Sequence, residues 1–292
     1  MESPVNFGFE RTGEWPVKAL LIAGLILPFY AGAQASLFEV NLLANPDAEA
    51  GPASENGYAS VPVPGWETNG GFTVVAYTAG GGFPVASDPC PANRGMGFFA
   101  GGPSGSPASA SQFIDISAAA AEVDQGRVTC VLSGFLGGYA TQNDRAVVVA
   151  SFLGTTSNML GSVAIGPVTA EDRDGQTGMF YRRSTALLAS GTRYVTVLLQ
   201  MSRWDGSYND GYADNLSLVM QPYRPPLSIE LLPGQARLSW PTNDGAFQLE
   251  TTVNLDGALP WTNWITAPAL VGGTFVVTNA LDEVQRFFRL KK

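Results

Sequence analysis

From residue 37 onward, apolar residues recur in short runs separated by Gly, Pro, Asn and Asp, the pattern of half-buried strands joined by turns. The runs are Leu37–Leu43, Phe72–Tyr77, Gly97–Phe99, Ala110–Ile116, Arg127–Leu136, Ala146–Leu153, Ser162–Ile165, Gly178–Ser184, Arg193–Ser202 and Ala213–Met220. Arg193–Met201 shows the period of two most clearly. Val195, Val197, Leu199 and Met201 make one continuous apolar face, with Tyr194, Thr196, Leu198 and Gln200 on the other, as an antiparallel strand on a core requires. Helical periodicity is scarce. Ser117–Asp124, with four consecutive alanines, predicts one or two helical turns.

About ten short strands without interleaved helices predict an all-β domain over residues 36–221, an antiparallel sandwich of jelly-roll type. Pro222–Pro226 holds three prolines, which remove ladder donors and stiffen the chain, so it reads as a linker. Leu227–Leu232, Ala236–Trp240, Phe247–Thr252, Trp264–Ala267, Thr274–Thr278 and Arg286–Leu290 then predict a small C-terminal β-sandwich over 227–292.

Composition agrees with a folded chain: 45% of the 292 residues are hydrophobic and 14% charged, so a sizeable core is available. At the N-terminus, Lys18 precedes the apolar run Ala19–Ala33, and Ala33-Gln34-Ala35 offers small residues at signal-peptidase spacing. This predicts a signal peptide over residues 1–35 and an extracellular, secreted or cell-surface protein. An uncleaved anchor is the alternative, although the run is shorter than the ~20 residues of a membrane span. No second run of spanning length follows, so no membrane span is expected in the mature chain.

The formal net charge is −9. Removing three acids and two bases with residues 1–35 leaves −8 (−9 + 3 − 2). An acidic chain with no basic patch is a poor partner for nucleic acid or anionic membrane. Two cysteines remain after export, Cys90 in a Pro-rich loop and Cys130 in a strand. An oxidising compartment permits a disulfide between them. The other reading is a buried free Cys130 acting as a small apolar side chain.

Two stretches carry a resemblance. Asn41-Leu42-Leu43-Ala44-Asn45-Pro46-Asp47-Ala48-Glu49-Ala50-Gly51 with Pro64-Gly65-Trp66, and Gly206 through Leu218 with Asp214-Asn215 inside it, resemble the opening and closing strands of galactose-binding-like jelly rolls. That superfamily includes carbohydrate-binding modules of secreted bacterial proteins. The resemblance brackets residues 36–221 and implies carbohydrate binding. It also implies a structural calcium between the first and last strands, held at Glu49 and Asp214, which suits the preference of Ca²⁺ for carboxylate and carbonyl oxygens. The plainer reading makes Asp47 and Asp214 turn or strand-start residues bonded to nearby backbone. Leu238-Ser239-Trp240-Pro241, Phe247–Leu255, Trp261–Trp264 and Arg286–Leu290 resemble short fibronectin-type-III-like modules that end secreted proteins of Verrucomicrobia and related groups. They imply an accessory or surface-retention module.

There is no histidine in the chain, which excludes Ser-His-Asp and Cys-His nucleophile chemistry and His-zinc sites. No phosphate-binding loop is present. Gly80-Gly81-Gly82 is followed by Phe83-Pro84 rather than by a helix start. Residues 36–221 contain 16 scattered acids, mostly in turns, so paired-carboxylate catalysis has little support. Sugar binding needs exposed aromatic planes flanked by hydrogen-bonding groups. Trp66, Tyr77, Tyr139, Trp204, Tyr208 and Tyr212 are the candidates. Trp204 and Tyr208 sit in one polar loop with Arg203, and Tyr139, Asn143 and Asp144 in another; sandwich loops gather at the ends of the fold, so the two can share a rim. The expected function is a non-catalytic glycan-binding module, with an adhesive or self-associating surface protein as the alternative.

Overall fold

The structure, a computed structural model, describes residues 36–103, 107–242, 247–256, 260–281 and 285–291. The expected signal peptide lies outside the described residues. In chain order the elements are β1 (Glu67–Asn69), β2 (Thr73–Ala76), β3 (Gly97–Gly102), β4 (Ala108–Asp115), a 3-10 turn (Ser117–Ala119) running into α1 (Ala120–Asp124), β5 (Val128–Gly138), β6 (Arg145–Leu153), β7 (Met159–Ile165), β8 (Gly178–Leu187), β9 (Tyr194–Ser202) and β10 (Asn209–Pro222). They form two five-stranded antiparallel sheets, β1-β4-β9-β6-β7 and β2-β3-β10-β5-β8. Such a pair is the antiparallel jelly-roll sandwich that the strand pattern predicts.

Alternation decides which residues join the sheets. Val195, Val197, Leu199 and Met201 of β9 and Val148, Ala150 and Phe152 of β6 face Leu132, Leu136 and Leu218 of the opposite sheet, all 0–1% exposed in one core. A second cluster, Val75, Phe83, Phe98, Met179, Tyr208 and Tyr212, lies outside that core. It forms where the segment after β2 folds over the outer face of the second sheet and shields its aromatic residues from water.

Beyond β10, Tyr223–Leu227 carries no strand. β11 (Ser228–Leu232), β12 (Gln235–Pro241), β13 (Gln248–Thr252), β14 (Thr262–Asn263), β15 (Ala269–Val271), β16 (Thr274–Ala280) and β17 (Phe287–Lys291) follow. They make a four-stranded sheet, β11-β12-β16-β15, and a three-stranded one, β14-β13-β17, around Leu238, Trp240, Leu249 and Val277. Ile229 and Leu231 share the core-side face of β11 with their partners Leu238 and Ala236, yet are 55% and 74% exposed; the smaller sheet does not reach them.

Two strand assignments need correction. Leu37–Leu43 is not a strand. It touches β10 through isolated bridges at Phe38 and Asn41, and the positive φ of Glu39 breaks its run. Trp264–Ala267 lies outside any strand, because β14 ends at Asn263 and Trp264 instead turns into the core edge. The exposed strands β1 and β15 carry no inward alternation and were not anticipated.

Candidate functional site

The two polar loops that the sequence singles out do meet. Asp144, 1% exposed, is the clasp. The backbone N–H groups of Trp204 and Asp205 donate to its Oδ1 (2.5 and 2.9 Å), and that of Asp210 donates to Oδ2 (2.8 Å). Asp205 returns the grip: its Oδ2 accepts from the backbone N–H and side-chain amide of Asn143 (2.7 and 3.0 Å). Charge-assisted bonds of this kind fix loop geometry more firmly than neutral ones. Arg203 donates to the Gly206 carbonyl (2.9 Å) within its own loop.

Beneath the rim lies Arg173, 1% exposed. Its guanidinium donates to the carbonyls of Gly138 (2.9 Å), Ala140 (2.8 Å), Gln142 (3.0 Å) and Gln176. It thereby ties the loop after β5 to the one before β8, and the Ala140 N–H donates to Thr177 Oγ1 (3.1 Å) as a second tie. Burial lowers the Arg173 pKa, and the nearby Asp172 and Asp210 oppose that shift. Asp210 is itself buried, accepts a hydrogen bond from the Tyr212 hydroxyl, and is pushed up to about 6, chiefly by desolvation.

On this braced rim Trp204 is 64% exposed. The Arg145 guanidinium carbon lies 4.3 Å from its ring centroid, a stacked cation–π geometry. The result is an aromatic plane held on one side and open to solvent. A basin of about 520 Å³, lined by Gly80, Gly81, Gly82, Asp88, Gln176 and Thr177 among others, lies at the same end of the sandwich.

The other aromatic candidates are placed differently. Trp66 is a core residue, 8% exposed, its indole N–H donating to the Asn45 carbonyl (3.0 Å) and its ring edge-on to Phe99. It offers no face to a ligand. Tyr208 is buried too: its hydroxyl donates to the Gly57 carbonyl (2.8 Å) and its ring packs on Phe83 and Tyr58. Tyr77 and Tyr212 are buried with their hydroxyls on Asp214 and Asp210. Tyr139 is half-buried, packed against the second cluster. Arg145, Arg173 and the exposed Tyr58 were missed. A strand-start arginine looks like any solvated charge in sequence, and its position over Trp204 depends on the β6–β9 register that pairs Arg145 with Ser202.

Glu49 and Asp214 lie on one side of the sandwich. Glu49 Oε1 accepts from the Met96 and Gly97 N–H groups (2.7 and 2.8 Å). Asp214, fully buried, accepts from the Tyr77 hydroxyl (2.7 Å) and the Asn215 N–H (2.7 Å). Its carboxyl is pushed up to about 8, first by burial and then by the nearby negative charges of Glu49 and Asp47, against those two hydrogen bonds. Among the described residues no group of three or more His, Cys, Asp or Glu side chains is spaced to hold a metal. These oxygens suit a hard cation only if main-chain carbonyls complete the shell.

Both cysteines are free. Cys130 pairs with Ala186 near the start of β5, while Pro89, next to Cys90, accepts from Met179, the partner of Gly137. Seven residues of strand, about 23 Å, separate those positions, so the bridge permitted by the sequence is not made. Burial pushes the two thiols up to about 11 and about 12.

No protein-family model matches the chain, and no curated protein matches it. Solved structures do. A family 16 carbohydrate-binding module is 20% identical over 61% of this chain and 99% of its own, with a TM-score of 0.38. The CBM22-1 xylan-binding domain of Paenibacillus barcinonensis Xyn10C is 13% identical over 57% and 91%, with a TM-score of 0.31. The enzymatically active domain of tailspike protein 4 from bacteriophage CBA120 is 13% identical over 63% of this chain, with a TM-score of 0.35; the match spans only 22% of that chain. Each is a likeness of fold alone.

Proposed function

We propose that the jelly-roll sandwich is a non-catalytic, extracellular glycan-binding module and that the C-terminal sandwich is an accessory module of fibronectin-type-III kind. One observation carries the glycan reading: Trp204 is a largely exposed indole on loops that Asp144 and Arg173 hold rigid. A pyranose presents C–H groups on its face and hydroxyls at its rim. The open side of Trp204 supports the first, and Asn143, Arg203 and Asp205 stand beside it for the second. Preorganised loops lower the entropy lost on binding. The neighbouring basin gives room for a further sugar unit.

No catalytic step is assigned. Of the carboxylates at the rim, Asp144 and Asp210 are buried and bonded within the fold, where they serve as struts, and Asp205 is engaged by the backbone N–H and side-chain amide of Asn143. Glu49 and Asp214 would hold a calcium ion, which would supply positive charge to a buried carboxylate that has acidic neighbours.

The test is retention on immobilised polysaccharides and a glycan array. Trp204→Ala is expected to lower affinity at least about tenfold, equivalent to about 1.4 kcal/mol, with an unchanged melting temperature. Trp66→Ala is expected to destabilise the fold instead. Full retention by Trp204→Ala would refute the assignment.

A further inference from the structure

The charges around Trp204 are unequally engaged. The acids of the rim are occupied: Asp144 holds three backbone N–H groups, and Asp205 holds two donors from Asn143. Asp210 lies inside, beneath the surface, with the Tyr212 hydroxyl. The buried Arg173 is likewise taken up by carbonyls.

The two arginines at the surface are not. Arg145 has no carboxylate or carbonyl partner among the described residues; its guanidinium lies on the Trp204 ring, and its Nε is shielded without an acceptor. Arg203 is exposed and, among the described residues, makes a single bond, to the Gly206 carbonyl. The β6–β9 register sets Arg145 opposite Ser202, so the strand start that carries Arg145 lies beside the loop that carries Arg203 and Trp204, and Arg145 stacks on the indole that follows Arg203 in the chain. Residues 36–221 hold 16 acids and eight arginines, so anions gain little from the net field of the domain. An anion held at this rim would be held by local contacts.

We propose that the Trp204 rim selects an acidic sugar, a pyranose stacked on the open face of Trp204 whose carboxylate or sulfate oxyanion accepts hydrogen bonds from Arg145 and Arg203. The guanidinium fork suits such an oxyanion, since its parallel N–H groups match two oxygens. The inference rests on the glycan reading above and narrows its ligand class.

The experiment compares the full chain on polygalacturonate, its carboxyl-reduced neutral form, dextran sulfate and dextran, by affinity electrophoresis at ~0.15 M salt, where long-range attraction is screened. At least one charged polymer should be retained about tenfold more strongly than its neutral counterpart, and the one retained identifies the oxyanion. Arg145→Gln and Arg203→Gln, each with an unchanged melting temperature, should abolish that preference. Arg183→Gln, an exposed arginine on β8 of the other sheet, should preserve it. Equal retention of charged and neutral polymers overturns the acid preference and leaves glycan binding standing. An equal loss with Arg183→Gln overturns it as well, since general charge would then be the cause. Retention of no glycan, here or on the array, removes both proposals.

Discussion

Asp210 shows what burial does to a single carboxyl. It ionises near 6 in the folded chain, against about 3.9 in an unfolded one. Between those values the native state holds a proton that the unfolded state releases. Stability therefore falls as pH rises from about 4 to about 6 and stays lower above that. Asp210→Asn removes this contribution, so the stability of the variant relative to wild type should increase between pH 4 and pH 7 by on the order of 2–3 kcal/mol. Urea unfolding across that range measures it, and a constant difference would count against the assignment. At this scale the sequence was only partly legible. Polarity and glycine marked the loops containing Asn143, Asp144, Arg203 and Trp204. Nothing local shows that Asp144 faces inward or that Arg173 is buried, because both depend on carbonyls and amides supplied by distant segments. Trp66 misled for the same reason: a tryptophan beside Pro64-Gly65 looks like a surface residue until Asn45 and Phe99 close around it.

At the level of elements, strands with one buried face were readable and strands without one were not. β9 announces itself by alternation, and its buried positions are those the pattern predicts. β1, exposed at all three residues, exists because β4 offers it a free edge, and no pattern within Glu67–Asn69 encodes that. β5 depends on a further demand, close approach. A Cβ built on Gly137 would stand 1.8 Å from the Gly178 carbonyl oxygen and 2.8 Å from the Met179 Cα. Neither is a flexible side-chain end. Gly137→Ala should therefore force β5 and β8 apart and cost about 3 kcal/mol, measured by chemical denaturation. A variant as stable as wild type would show that the pairing relaxes freely. Because Gly138 follows directly and its carbonyl accepts from Arg173, the Gly137 variant should also loosen the Trp204 rim and weaken glycan retention.

For the whole molecule, the segment at residues 38–54 acts as a strap. It meets β10 at Phe38 and Asn41, passes Pro46, whose carbonyl accepts from Leu216, and reaches the N–H groups of Met96 and Gly97 through Glu49. If Glu49 and Asp214 share a calcium ion, the ion fastens this strap, and chelation releases it. EDTA is then expected to lower the melting temperature by about 2–4 °C for each kcal/mol of binding free energy lost, with restoration by added Ca²⁺. An unchanged melting curve together with no calcium by elemental analysis would show that hydrogen bonds alone hold the strap.

The same bridges bring the two ends of the jelly-roll segment side by side, Phe38 against Met220. β5 runs from that end to Gly138 beside the Trp204 rim, a length of about 33 Å for ten residues of strand. Entry and exit thus share one pole and the indole occupies the opposite one. A segment built this way can be spliced between other sequences with little disturbance to either, and whatever holds it, Trp204 points outward from the point of attachment.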